Sequence, residues 1–176
     1  MITYKTVTNL KELEQILVLQ KANLPSSISS EEKASEGFLT VNHNLDLLKK
    51  MNDVCPHIIA KYKEEVIGYA LCMHPKFKNE IDVLKSMFME VENSVKPFIS
   101  FIIMGQVCVD KYFRKQGVFR NLYGKMQQET SKDFDSIVTE VDATNARSLQ
   151  AHYGIGFKTL SKYKGDGRDW ELIYLQ

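Results

Sequence analysis

The sequence predicts a mixed α/β fold, a twisted sheet with helices packed against it. Three observations lead there. Segments of helical and of strand periodicity follow one another in the order β-α-α-β-β-α-β-α-β-α-β-β. Residues 98–110 are apolar on both faces, as a strand in the middle of a sheet is. The 176 residues are 44% apolar and 26% charged, ordinary globular usage and about the length of one domain, so one domain over residues 1–176 is expected.

Taken in order, residues 1–7 read as a strand. Leu10, Leu13, Ile16 and Leu17 then follow helical spacing, with Asn9 placed to cap the start. Residues 26–37 are polar and loop-like, with room for a short helix. Asn44 is a good cap for a helix through Leu45, Leu48 and Met51 that ends before Pro56. Residues 57–62 and 66–73 are β-rich and joined by Lys63-Glu64-Glu65, a hairpin. Ile81, Leu84, Phe88 and Val91 mark another helix. Gly105 interrupts the central strand at 98–110, where a glycine often marks a bulge. Phe119, Leu122, Tyr123 and Met126 form a helical stripe, followed by a strand at 136–141 and a helix at about 145–152. Two last strands, 157–163 and 170–175, bracket Gly165-Asp166-Gly167, a hairpin signal.

Composition also excludes function classes. With 23 Lys+Arg against 22 Asp+Glu the net charge is +1, so no global field recruits nucleic acid or an anionic membrane. No signal peptide and no membrane-spanning segment is expected, and a cytoplasmic location is the default. Cys55, Cys72 and Cys108 are widely spaced, and His43, His57 and His74 are scattered, so neither a disulfide framework nor a metal site is expected. Neither a G-x-S-x-G elbow nor a Walker pattern occurs. Tyr69, Met73, Met87 and Met89 read as core or as pocket lining.

The chemistry concentrates at residues 107–119. There the central strand ends, a short basic loop follows, and a helix starts near Gly117. A helix N-terminus offers unpaired N–H groups and partial positive charge, so this turn favours phosphate or pyrophosphate. Arg114, Lys115 and Arg120 add formal charge.

In these residues the chain resembles the GNAT superfamily of N-acetyltransferases, whose pyrophosphate loop runs Gln/Arg-x-x-Gly-x-Gly/Ala directly after the pantetheine-binding strand. Arg114, Gly117 and Phe119 fall on those positions. Phe119 departs from the small residue, and its ring is expected to turn into the core and leave its N–H free. A second family pattern, Asn-x-x-Ala/Ser-x-x-Leu/Phe-Tyr/His-x-x-x-Gly-Phe, is met by Asn145, Ser148, Ala151, His152, Gly156 and Phe157, with Ala151 the poor fit. The segment 75–97, with its own helix, replaces the family's usual short hairpin.

The resemblance implies a mostly antiparallel twisted sheet with a splayed central strand pair and helices on both faces. It implies acetyl transfer from acetyl-CoA, as co-substrate, to a primary amine of a small molecule or peptide, by direct attack in a ternary complex. Cofactor contacts are then expected from Val107, Cys108 and Val109, from Arg114, Lys115, Gln116, Gly117, Val118 and Phe119, and from Asn145 and Ser148. Gly105 is the expected source of the splay. Glu140 and Asp142 share one strand face, and Glu140 is preferred as the base. His152 falls on the position of the family's acid and Tyr153 stands beside it; adjacent helical residues point about 100° apart, so only one is expected to reach the sulfur. The acceptor is expected to meet residues 25–52 and 164–168, which carry no recognisable pattern, and a homodimer stays open. The competing expectation is a degenerate acyl-CoA-binding module that senses cofactor without transfer.

Overall fold

The structure, a computed structural model, describes residues 1–39, 41–80, 85–94 and 99–176. Strand β1 (Ile2–Thr6) leads to Asn9, whose side chain accepts from Glu12 N and opens helix α1 (Leu10–Ala22). The polar stretch that follows is not merely a loop. Ser29 and Glu32 form a reciprocal capping box that starts α2 (Ser30–Glu36), and Gly37, with φ +84°, ends it. Asn44 accepts from Leu47 N and opens α3 (Leu45–Val54).

The hairpin partners are β2 (Ile58–Tyr62) and β3 (Glu65–Met73). Glu65 already pairs with Tyr62, so the turn is Lys63-Glu64, one residue shorter than the sequence predicts. Helix α4 (Lys85–Ser94) buries Met87, Phe88 and Val91 and leaves Met89 exposed; Ile81 and Leu84 lie outside the described residues. The central strand β4 (Phe101–Val109) starts later than expected, and Phe98 is outside the described residues. After it come α5 (Val118–Thr130), β5 (Ser136–Asp142), α6 (Ala146–Tyr153), β6 (Lys158–Gly165) and β7 (Arg168–Leu175). Asp166 and Gly167 join the last two with φ +51° and +74°, as a type I′ turn requires.

The strands form one seven-stranded sheet in the order β1-β2-β3-β4-β5-β7-β6, antiparallel everywhere except between β4 and β5. Strand alternation separates two apolar layers. On one face Tyr69, Leu71 and Met73 of β3 pack with Ile16 of α1, Met51 of α3 and Phe88 of α4. On the other, Ala70 and Cys72 pack with Leu122 and Met126 of α5 and Leu149 of α6. No helix among the described residues is long and apolar enough to cross a membrane.

Candidate active site

Strands β4 and β5 pair only over Phe101–Ile103 against Ser136–Val138. Beyond that point each strand follows its other neighbour: β4 pairs with β3 as far as Val109 opposite Gly68, and β5 pairs with β7 as far as Asp142 opposite Trp170. The two therefore diverge, and the backbone of residues 106–109 has no ladder partner on β5. The β3–β4 register jumps from Leu71 opposite Gln106 to Cys72 opposite Met104, which leaves Gly105 as the extra residue of a β-bulge. A Cβ at Gly105 would lie 3.9 Å from Leu71 and Met73. The bulge is where the sequence put it, but it is not enforced by lack of space for a side chain.

A cavity of about 350 Å³ opens along this divergence. Val107, Cys108 and Val109 line one side, and Asn145, Ser148 and Ala151 along α6 and its N-cap line the other. Its far end is the loop after β4. There Lys115 (φ +61°) and Gly117 (φ +79°) hold left-handed conformations, and Gly117 caps α5 without a side-chain acceptor. Successive N–H groups in such a turn form a concavity suited to an anion. Phe119 turns its ring toward Tyr123 and His152, at centroid distances of 5.1 and 5.0 Å, as expected from its place on the helical stripe. Gln116 does not line the cavity: it is exposed and donates to the Tyr112 carbonyl at 2.9 Å.

The third wall is the segment Gly37–Phe38–Leu39. It is tied to both sides of the opening. Arg114 donates to Asn23 Oδ1 at 2.8 Å and approaches Glu36 Oε2 at 3.4 Å, while Asn145 Nδ2 donates to the Phe38 carbonyl at 3.3 Å. Arg114 and Asn145 thus have protein partners of their own.

Glu140, Asp142 and His152 line one smaller crevice but differ in their partners. Glu140 is half-buried in this crevice of about 70 Å³ between the diverging strands, beside Gln106 and Thr139. Burial pushes its carboxyl up to about 7, against the pull of a hydrogen bond from the Tyr163 hydroxyl. Asp142, on the same strand face, is committed elsewhere: it accepts from Thr144 N and Oγ1 at 2.9 and 2.6 Å and pairs with Arg168 at 3.0 Å.

Both acid candidates are engaged with protein partners. His152 is 1% exposed, and burial holds its imidazole down to about 4. Nδ1 lies 2.7 Å from the Ser148 carbonyl, which only an N–H can satisfy, so Nε2 is the acceptor for the Tyr123 hydroxyl at 2.7 Å. No proton is left to give. Tyr153 is 40% exposed, does not line the cavity, and donates to Glu171 at 2.5 Å. Cys108 is buried, and burial raises its thiol to about 12, which removes it as a nucleophile.

No family model matches the chain, and no curated protein does. Solved structures match along its whole length. The NatC complex bound to Gag peptide and CoA superposes with a TM-score of 0.69 at 16% identity, covering 99% of this chain and 97% of that one. Arabidopsis thaliana Naa50 with the bisubstrate analogue CoA-Ac-MVNAL gives 0.66 at 15% identity, with 99% and 98% covered. Arabidopsis thaliana NAA60 in complex with acetyl-CoA gives 0.67 at 16%, with 99% of each chain covered. The chain has the GNAT fold.

On this GNAT fold, three features of the site were not singled out in the sequence. Tyr163 reaches Glu140, Gln106 sits in the crevice, and Asn23 with Glu36 holds Arg114. Only Tyr163 left a signal: period two along β6 gives its face but not the neighbour it meets.

Proposed function

We propose that the chain is an acetyl-CoA-dependent N-acetyltransferase acting on a primary amine of a small molecule or peptide. The observation that carries this reading is the opening between β4 and β5, which runs from the Glu140 crevice to the left-handed turn at Lys115 and Gly117. Its dimensions suit an extended chain with a diphosphate at one end and a reactive carbonyl at the other. Residues 107–109 supply backbone groups for the extended arm, and the α5 N-terminus supplies N–H donors for the diphosphate.

In this reading the amine reaches the thioester from the Glu140 side. Glu140 takes the proton, the freed nitrogen pair attacks the carbonyl carbon, and a C–N bond forms. A β4 N–H stabilises the oxyanion, a role that contributes about 2.7–4 kcal/mol where it has been removed elsewhere. The C–S bond then breaks as the nitrogen sheds its second proton to solvent. A thiol with a reference pKa near 8.5 is a fair leaving group, so its thiolate takes a proton from solvent and neither His152 nor Tyr153 is required.

Calorimetric titration with acetyl-CoA and a thiol-release assay over a panel of amines test the reading. Binding with amine-dependent release supports it, and Glu140→Gln should then lower kcat about 10²–10⁴-fold. The commitment of both acid candidates to other partners favours one second reading, an acyl-CoA-binding module without turnover. Binding without release for any amine would select it.

A further inference from the structure

Glu140 and Tyr163 lie on strands that are not neighbours, because β7 runs between β5 and β6. Glu140 pairs across β7 with Leu172, which pairs in turn with Ser161, whereas Tyr163 pairs with Trp170. The contact is therefore diagonal and spans two interstrand spacings, about 9–10 Å. Serine or threonine is too short for it, and phenylalanine has no donor. Leu172, fully buried, floors the bridge. The Tyr163 ring is held from the far side: a Cβ on Gly165 would lie 3.2 Å from Tyr163 Cε2 and 3.1 Å from Ser86 Oγ of α4.

The charges around this contact share one sign. Asp166 faces it from the β6–β7 turn and accepts from Ser86 at 3.2 Å. Glu90 faces it from α4 and accepts from the Ser161 and Ser94 hydroxyls. From β4 comes neutral Gln106, from α6 His152, held neutral by burial, from β7 Leu172, and from the third wall Phe38 and Leu39. The nearest cation on β7, Arg168, is spent on Asp142. Among the described residues no Lys or Arg is ion-paired with Glu140. The Tyr163 hydroxyl is thus the donor that opposes burial and the Asp166 carboxylate.

We propose that Tyr163 is a positioning residue for Glu140: its phenol crosses β7, occupies Oε2, and leaves Oε1 to receive the proton of the incoming amine. This rests on the reading of Glu140 as the base. The phenol does two things at once. It fixes the carboxylate plane toward the crevice, and it favours the ionised form, since a hydrogen bond to the charged state lowers the pH at which that state appears.

The test is a carbon-13 titration of the free protein with labelled glutamate side chains, the Glu140 signal being assigned by its loss in Glu140→Gln. Neither cofactor nor amine is needed. In Tyr163→Phe the Glu140 midpoint is expected to move up by roughly one pH unit. With an amine accepted by the wild type, the acid limb of kcat/KM should move up with it, and the rate above that limb should fall because the carboxylate is no longer held toward the crevice. An unmoved midpoint in a variant with a native amide spectrum overturns the proposal, because a purely structural tyrosine would leave the titration alone. If Tyr163→Phe does not fold, site-specific 3-fluorotyrosine at 163, a stronger donor, should move the midpoint down; no movement overturns the proposal equally. A moved midpoint in a protein that releases thiol with no amine overturns the base reading, not the Tyr163–Glu140 coupling.

Discussion

The Tyr123 hydroxyl lies 2.7 Å from Nε2 of His152, inside a cage made by Phe119 and Phe157. The ring lies at centroid distances of 5.0 Å from both phenylalanines, edge-on to each. This is a core histidine that fastens α6 to α5, and its neutral form is the one the contacts require. His152→Ala should therefore destabilise the fold by about 2–4 kcal/mol, through a cavity and an unpaired Tyr123 hydroxyl. The folded fraction should keep kcat within a few-fold, and Tyr153→Phe should change it even less. Denaturant unfolding alongside steady-state rates decides: a hundredfold loss of kcat in a fully stable His152→Ala would return the acid role to His152.

Acid should unfold this protein earlier than its carboxylates alone would. Burial holds His43, His57 and His152 down to about 4, about 3 and about 4, against an ordinary 6.5. Each is neutral when folded and takes a proton once exposed, so the stability it gives is whole above 6.5 and lost as pH falls through the folded value. Glu140 has the opposite sign: raised from 4.5 to about 7, it favours the fold below 4.5 and has lost that contribution above 7. Glu12 adds to the acid limb only lower down. Burial pushes its carboxyl up, but hydrogen bonds from Lys5, Thr8 N–H and Lys61 more than offset this and bring it to about 2. With three imidazoles against one carboxyl, the melting temperature should fall between pH 6.5 and 4, and more steeply in Glu140→Gln. A flat melting profile over that range would contradict the burial of these rings.

Glu36 places a carboxylate beside the arginine that is expected to meet a diphosphate, 3.4 Å from its guanidinium. The two anions compete. Removing the charge in Glu36→Gln should tighten CoA binding about two- to fivefold, the scale of a partly exposed ion pair. Calorimetry reads it directly. Weaker binding would mean instead that Glu36 holds Arg114 in its productive pose.

Two glycines of the central strands should respond unequally to the same methyl group. A Cβ on Gly68 would sit 3.2 Å from the Cys108 carbonyl oxygen and from Val118 Cγ1. Gly68→Ala should cost about 1–3 kcal/mol by overpacking. At Gly105 the nearest atoms are 3.9 Å away, and Gly105→Ala should stay within about 0.5 kcal/mol. A bulkier Gly105→Val should lower turnover more than CoA affinity, by moving the oxyanion donor on β4. Thermal unfolding orders the two alanine variants, and a larger loss at Gly105 would reverse the argument.

What the sequence made legible was local. Asn9, Asn44, Gly117 and the Asp166-Gly167 turn are read from their own neighbourhoods, because caps and tight turns are satisfied within a few residues. Gly105 announced the bulge in the same way. The chemistry of the site was less legible, because it depends on which strand lies beside which. Period two puts Glu140 and Tyr163 on defined faces, yet only the order β5-β7-β6 brings them together. Helical geometry says that one of His152 and Tyr153 turns inward; it cannot say that the inward one meets Tyr123 rather than open space. The helix at Ser30–Glu36 shows the same limit, since its capping box was local but its role, bringing Glu36 to Arg114 at the cavity, was not.

Past Ile103 and Val138 the sheet carries two unpaired rims in its interior instead of at its outer strands. A bare rim is normally a hazard, since it can be zipped up by a strand from another molecule. Here the rims converge to a pairing distance at one end and are flanked by α6 and by Gly37–Leu39. In the proposed function a narrow extended chain, the arm of the co-substrate, runs along these rims as a temporary eighth strand. The same opening that exposes the backbone of β4 therefore selects by width, before any side chain has been consulted.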